Sequence, residues 1–450
     1  MPAILPAILI APARPASADG LESASARAIG RAGAAMVGDD GGTALLTSPG
    51  GLVRRDLWRM QLGMSLHDRD LDYRARSSAG SPPAIADHGQ PTVAPELALQ
   101  GSLGPVVTGV AYLEPTAMTR ALPEALPITR FPEIEADFSH RYAGTALAYR
   151  ERTLTAGAAI RAGEWLGLGA SLGVTHLRLT ERRHVWAGMT GRDQLGDPRH
   201  DLAVTTSGSA LGVTGAAGAL LAPPSLPLEL AASVRLSGGA RVRGPAAASQ
   251  VGAVIDRPDF PAVTLASPTA AVRLPPVLVA RAGARWLGER ALVEIGGDVT
   301  APLTTAGAWR ITGVQVTDAS GAVAEIAAMP LLLDRQVHGA ARAAAEVEAI
   351  PGFLWLSVGY AYRTRATPLR RTTPAFADLG GHTMAAGIEV YGSGMVLSVG
   401  YAHTAPTTRT VTSGDLRSMN PFDAGTEAVG LGTYRSAHDA FGAALEIAWE

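Results

Sequence analysis

Gly169-Ala170-Ser171-Leu172-Gly173 spells G-x-S-x-G, the spacing that lifts a serine nucleophile onto a sharp strand-to-helix turn in hydrolases. Here the five residues sit inside Leu166–Val174, where apolar and small residues alternate without a break, so they read as the glycine-lined face of a strand. Gly212, Gly215 and Gly218 also lie within a strand-like run rather than ahead of a helix, which leaves a dinucleotide loop unsupported. His140, His184 and His200 have no metal-ligand spacing and fall in expected loops, where they read as solvated surface residues. The chain has no Cys, which excludes a disulfide scaffold, a thiolate metal site and a cysteine nucleophile. No catalytic residue, metal ligand or cofactor is therefore expected.

The composition narrows the class further. The chain has 450 residues, 47% of them hydrophobic, 17% charged and 5% aromatic. There is no Lys, so all 38 basic residues are Arg, and the net charge of −2 offers no footprint for nucleic acid. Such apolar content excludes a disordered chain. Yet there is nowhere to place it as a helical span of about 20 residues. The longest apolar run, Met1–Ala13, is interrupted by three prolines. It reads as a signal peptide over residues 1–18, with Ile4–Ala11 as its apolar core and Ala16-Ser17-Ala18 as its cleavage site, so the mature chain begins near Asp19 and is exported.

Past residue 57 the dominant period is two, the period of a strand. Trp58, Met60, Leu62, Met64 and Leu66 alternate with Arg59, Gln61, Gly63, Ser65 and His67. Leu354–Tyr362, Met384–Val390, Met395–Tyr401 and Phe441–Trp449 follow the same rule. The segments run to about ten residues, the length that spans a bilayer as a tilted strand. His338–Glu348 is Ala-rich enough for a helix, but its alternation and the tight turn after it favour a strand.

Short and long connections take turns along the chain. Tight turns are expected at Gly101–Gly104, Arg161–Glu164, Pro223–Pro227, Leu287–Arg290, Ala349–Gly352 and Gly392–Gly394. Long loops are expected at roughly 68–93, 114–143, 179–207, 238–273, 302–335, 366–380 and 405–437. Six hairpins plus a first strand at 58–67 and a last at 438–449 make about fourteen strands. The fold class is therefore all-β, a transmembrane antiparallel barrel over residues 58–450, closed because lipid tolerates no open sheet edge. One set of faces carries no charge. The other carries Arg281, Arg285, Glu294, Asp298, Arg342, Glu346, Arg363 and Glu389, as a polar lumen would. A soluble β-sandwich array is the competing architecture; it would need shorter strands and no alternation of loop length.

Residues 19–57 precede the first strand and are rich in small residues, so they form either a periplasmic leader or a plug folded back into the lumen. Gly30-Arg31-Ala32-Gly33, then Asp39-Asp40, then Thr47-Ser48-Pro49-Gly50-Gly51-Leu52 resemble the N-terminal hatch of the FadL-type outer-membrane transporters. In that family an Asn-Pro-Ala-Gly-Leu-like motif occupies the last position, and here Ser48 and Gly50 depart from it. Pro95–Pro115, Pro351–Arg363 and His382–Tyr401 extend the resemblance over most of the mature chain. The resemblance implies a barrel in the outer membrane of a Gram-negative bacterium that takes up hydrophobic molecules such as long-chain fatty acids. A lumen hatch would include Gly30, Arg31, Gly33, Asp39, Asp40, Ser48 and Pro49, and release would be sideways through the wall.

Met118, Leu122, Leu126, Ile128, Phe131 and Ile134 form an apolar group in an expected external loop, a candidate for ligand capture or for packing over the barrel mouth. The expected partners are hydrophobic small molecules and outer-membrane lipids, around a monomer. A diffusion porin for polar solutes and a structural or secretion-associated barrel remain alternative functions of the same architecture.

Overall fold

The computed structural model describes residues 25–39, 41–54, 57–76, 84–124, 140–188, 200–251, 262–331, 333, 335–423 and 428–449. Strands follow the period-two segments: β1 Trp58–Ala75, β2 Ile85–Ala86, β3 Thr92–Leu103, β4 Val106–Ala121, β5 Ala146–Ala162, β6 Leu166–Trp186, β7 Asp201–Leu221 and β8 Leu228–Ser237. Next come β9 Ala240–Gln250, β10 Ala262–Leu274, β11 Val277–Leu287, β12 Ala291–Pro302, β13 Ala308–Thr317, β14 Val323–Glu325 and β15 Ala328–Pro330. The last five are β16 His338–Ile350, β17 Leu354–Arg363, β18 Gly381–Gly392, β19 Met395–Val411 and β20 Gly432–Trp449.

Fourteen of these strands close an antiparallel barrel: β1, β3–β8, β11, β12 and β16–β20. The seam is β1 on β20, paired from Trp58↔Trp449 to Ala75↔Gly432. All six expected tight turns join neighbouring wall strands, and the Ala-rich segment at 338 is strand β16, with Arg342 and Glu346 facing inward. Alternation divides the wall as the side chains require. Leu62, Met64 and Leu66 are exposed on the outside while Gln61, Ser65 and His67 are buried inside. Leu356, Val358, Tyr360, Met384, Ile388, Leu397 and Phe441 continue the outer apolar belt. Such a belt is stable against hydrocarbon, where closure leaves the sheet no free edge.

The largest departure from the expected loops lies between β8 and β16. The segments 238–273 and 302–335 contain β9, β10, β13, β14 and β15, and β9 pairs with the outer half of β7. They form strands because they also alternate: Val242, Ala246, Ala270, Val272, Trp309 and Ile311 turn inward and build one apolar cluster with Leu179, Val204 and Phe376. The wall therefore continues outward past the belt. Accordingly β1, β4, β6 and β19 reach 18, 16, 21 and 17 residues, longer than the bilayer alone needs.

Candidate functional site

The N-terminal segment lies inside the wall. Helices α1 (Ala26–Ile29) and α2 (Ala44–Thr47) are single turns, followed by a 3-10 turn at Pro49–Arg54. Ser25 caps α1 by accepting from Ala28 N–H at 3.3 Å. Ala32 and Gly33 take φ of 53° and 77°, the left-handed bend that ends α1, which accounts for the glycine at 33. Isolated turns this short are unstable, so packing must hold them. Ile29, Val37, Leu45, Leu46 and Leu52 are all sealed from solvent.

Charged pairs fasten the segment to opposite sides of the wall. Arg31 is paired with Glu346 and lies 3.9 Å from Glu294; Arg27 meets Glu389 at 2.5 Å and Glu346 at 3.2 Å. Glu294 also accepts from Val37 N–H and Gly38 N–H at 2.8 and 3.0 Å. Arg54 meets Glu229 at 2.7 Å, and Gly42 N–H donates to Gln61 at 3.0 Å. Asp39 is an internal brace: it accepts from Thr43 at 2.9 Å, Thr47 at 2.6 Å and Gly41 N–H at 3.3 Å. Ser48 is buried, and Pro49 presses so closely on Gly169 of β6 that a side chain there would overlap its carbonyl. Ser171 of the G-x-S-x-G run donates to the Leu45 carbonyl, a packing role.

Two adjoining cavities lie outward of the segment. The first, about 870 Å³ including its mouth, has Ala32 of the segment in its lining and is ringed by Arg69, Arg120, Arg335, Arg342 and Arg363. Arg120 pairs with Asp87 and Arg342 with Asp298, whereas Arg335 and Arg363 share Asp378, at 3.5 and 2.7 Å. The second cavity, about 730 Å³, is lined by Leu177, Val213, Leu274, Val277, Ala306 and Leu333 among others. Tyr149, Arg335 and Phe376 line both, so a cationic chamber opens onto an apolar one, and the Arg335 guanidinium stacks 4.8 Å from the Phe376 ring.

Among the described residues, two breaks in the strand pairing of the wall adjoin cavities. The β3–β4 pairing stops at Glu96↔Leu113, where Glu114 and Pro115 shift the register. Beyond it Pro95–Thr92 pair only with β1 and Thr116–Ala121 only with β5. Neither proline has an N–H to bridge the gap. A cavity of about 320 Å³ fills this break, with Ala26 and Thr43 of the segment on one side and the outward-facing Met64 on the other. The second break lies on β7, between Thr214↔Ser237 on β8 and Ser209↔Arg243 on β9, and the apolar cavity reaches it at Gly212, Val213 and Gly238.

The chain matches no protein-family profile and no curated protein. Solved structures do share its architecture. A FadL homologue from Pseudomonas aeruginosa superposes with a TM-score of 0.68 at 10% identity, covering 97% of this chain and 100% of that one. The toluene transporter TodX of P. putida gives 0.64 at 14% identity over 95% and 98% of the two chains. The toluene transporter TbuX of Ralstonia pickettii gives 0.64 at 13% identity over 96% and 99%. This is the FadL fold.

Within the FadL fold the residues singled out in the sequence divide. Gly30, Arg31, Gly33, Asp39, Ser48 and Pro49 come together inside the wall; Asp40 and the expected signal peptide 1–18 lie outside the described residues. Met118 is not in a loop: β4 stays paired with β5 to Ala121, and Met118 lines the arginine-ringed cavity. Leu122 is buried against Leu71, Tyr73 and Val411, while Leu126, Ile128, Phe131 and Ile134 lie outside the described residues. His140 and His184 are not solvated. Both are sealed, because β6 extends to Trp186 and brings His184 against Asp201 at 3.1 Å and Glu124 at 3.4 Å. Asp201 also accepts from Arg141 and from Tyr142 at 2.7 Å. The arginine ring itself escaped the sequence reading, since its members come from β1, β4, β16, β17 and the segment before β16.

Proposed function

We propose that the protein is a channel for the uptake of amphipathic hydrophobic molecules, of the long-chain fatty acid class, across the outer membrane of a Gram-negative bacterium. The observation that carries this reading is the junction of two chambers. Arg69, Arg120, Arg335, Arg342 and Arg363 give one chamber a cationic lining that suits an anionic headgroup, while Phe376, Leu177, Leu274 and Leu333 offer an alkyl chain a dry lining. Met118 meets the ligand where it lines the first chamber, and Leu126, Ile128, Phe131 and Ile134 are the proposed capture residues. The N-terminal segment acts as the hatch, and its displacement opens a route from the first chamber to the break between β3 and β4. Release there delivers the ligand sideways into the bilayer past Pro95 and Pro115, so no water-filled pore is required. The protein works as a monomer after loss of residues 1–18.

Titration calorimetry of the purified barrel with palmitate and with hexadecanol tests the reading. Palmitate is expected to bind at least tenfold more tightly. A barrel that binds neither and conducts small ions freely in a planar bilayer is a diffusion porin instead. The apolar chamber by itself favours a second reading, uptake of small aromatic hydrocarbons like those named for TodX and TbuX. Tight toluene binding with no preference for palmitate over hexadecanol selects that one.

A further inference from the structure

Alternation on the outward-reaching part of the wall places even-numbered residues of β9, and of β10 from Ala270 to Leu274, in the apolar cluster and odd-numbered ones outside. The outside row is unusual. Arg178 on β6 stands level with Ser209 on β7, then Arg243 on β9, Ala271 on β10 and Arg310 on β13, each directly paired with the next. Two residues nearer the belt, Arg241 and Arg273 face each other across β9 and β10. At about 4.8 Å between strands, Arg243 sits about 10 Å from both Arg178 and Arg310. All five guanidinium-bearing residues are exposed. None of them forms an ion pair with any described residue.

Like charges directly opposed across a ladder are destabilising. An anion bridging them offsets that cost. The height of the patch says which anion. Inward of the patch, past the exposed His176 on β6, the outer face is Leu172 and Val174 on β6, Leu211 and Val213 on β7 and Leu236 on the adjoining β8, all exposed apolar side chains; Leu211 is 73% exposed. Immediately outward it is Thr180, Ser207, Thr269 and Thr312, without charge. The arginines therefore form one band at the rim of the lipid-facing belt, where headgroup phosphates lie. The seam side of the barrel differs: β1 carries Asp68, Asp70 and Asp72 outward, and Asp72 stands opposite Arg435.

We propose that Arg178, Arg241, Arg243, Arg273 and Arg310 form a binding surface for the phosphate groups of lipids in the leaflet around the barrel's outer end. The planar guanidinium fork matches a phosphate in two-point contact, and arginine is weakly hydrated enough to work at a headgroup boundary. A lipid bearing two phosphates fits the spread better than one bearing a single phosphate, because the two flanking arginines stand about 20 Å apart across four strand spacings.

The test uses the full barrel in neutral detergent, mixed with bis-phosphorylated lipid A or with the same lipid after phosphatase treatment, and native mass spectrometry to count retained lipid. The wild type is expected to retain lipid A at least tenfold more than R241Q/R243Q/R273Q. The control R409Q/R435Q, on the seam side, should match the wild type. Both variants are checked for heat-dependent gel mobility, which reports the folded barrel. Equal retention by wild type and triple variant, equal retention of the dephosphorylated lipid, or a response to inorganic phosphate with no preference for the lipid would each overturn the proposal.

Discussion

Arg31 in the N-terminal segment and Glu346 on β16 form an ion pair inside the barrel, with side chains 1% and 2% exposed. Two charges so deeply placed gain little over well-packed apolar residues, but breaking a buried pair costs up to about 3–5 kcal/mol, here reduced because Arg31 also lies 3.9 Å from Glu294. Glu346→Gln is therefore expected to loosen the segment without opening the barrel wall, since Glu346 faces inward and the β16–β17 ladder is backbone. Single-channel recording should show larger or more frequent ion-conducting events than in the wild type. An unchanged conductance, with the barrel still heat-modifiable on a gel, would mean that this pair does not hold the segment.

The close approach of Arg31 to β17 makes a second prediction independent of charge. A side-chain carbon at Gly359 would overlap the Arg31 backbone. Gly359→Val is thus expected to expel the segment sterically, raising conductance and exposing residues near Arg31 to protease from the side of the short turns. Gly104→Val is the control, because no atom lies near that position, although its φ of 65° will cost some turn stability. If both substitutions behave alike, the segment is not packed against β17 in the way described.

Arg335 joins the two chambers and shares Asp378 with Arg363. A hydrogen bond to a charged group contributes about 1.5–3 kcal/mol. Arg335→Gln should therefore weaken palmitate binding by about tenfold or more, by the conversion of 1.4 kcal/mol per decade, and leave hexadecanol nearly unaffected. Phe376→Ala should weaken both, through loss of lining area. Calorimetric titration distinguishes the two patterns, and an equal loss for both ligands in Arg335→Gln would remove the carboxylate from the chamber.

The barrel was legible because each wall strand is read from its own residues: one-face alternation, as in Leu62, Met64 and Leu66, needs no knowledge of partners. Tight turns were legible for the same local reason, and Gly104, Gly163, Gly352 and Gly394 do take positive φ. The outward strands were missed because β9 and β10 become strands by pairing with β7 and β13, so their Pro- and Gly-rich surroundings read as loop. Site residues followed the same division. The N-terminal motif is contiguous and was found, whereas Glu346, Glu294 and Glu229 reach it across hundreds of residues. Met118 and His184 were misplaced because strand ends set by pairing leave no mark in composition.

The buried cluster beside the outer mouth gives a pH prediction. His140 is fully sealed, its Nε2–H donating to the Pro123 carbonyl at 2.8 Å, and burial pushes its pKa down to about 4 despite that bond. Arg141 and His184 nearby disfavour its protonation further, while Glu124 favours it. In the unfolded chain the imidazole returns to about 6.5. Between about 6.5 and 4 the unfolded chain takes up a proton that the folded one refuses. Local stability therefore falls as pH falls through that window, by at most about 1.4 kcal/mol per pH unit. Glu124 acts in the same direction: its hydrogen bond with His184 holds its pKa below the ordinary carboxylate range, so its contribution is present at neutral pH and lost as pH falls through the lowered value. Hydrogen exchange of residues 140–145, with intrinsic exchange rates corrected for pH, should show less protection at pH 5 than at pH 7. His140→Gln should flatten the upper part of that dependence and leave the Glu124 part. Equal corrected protection at the two pH values would show that the imidazole is hydrated in solution.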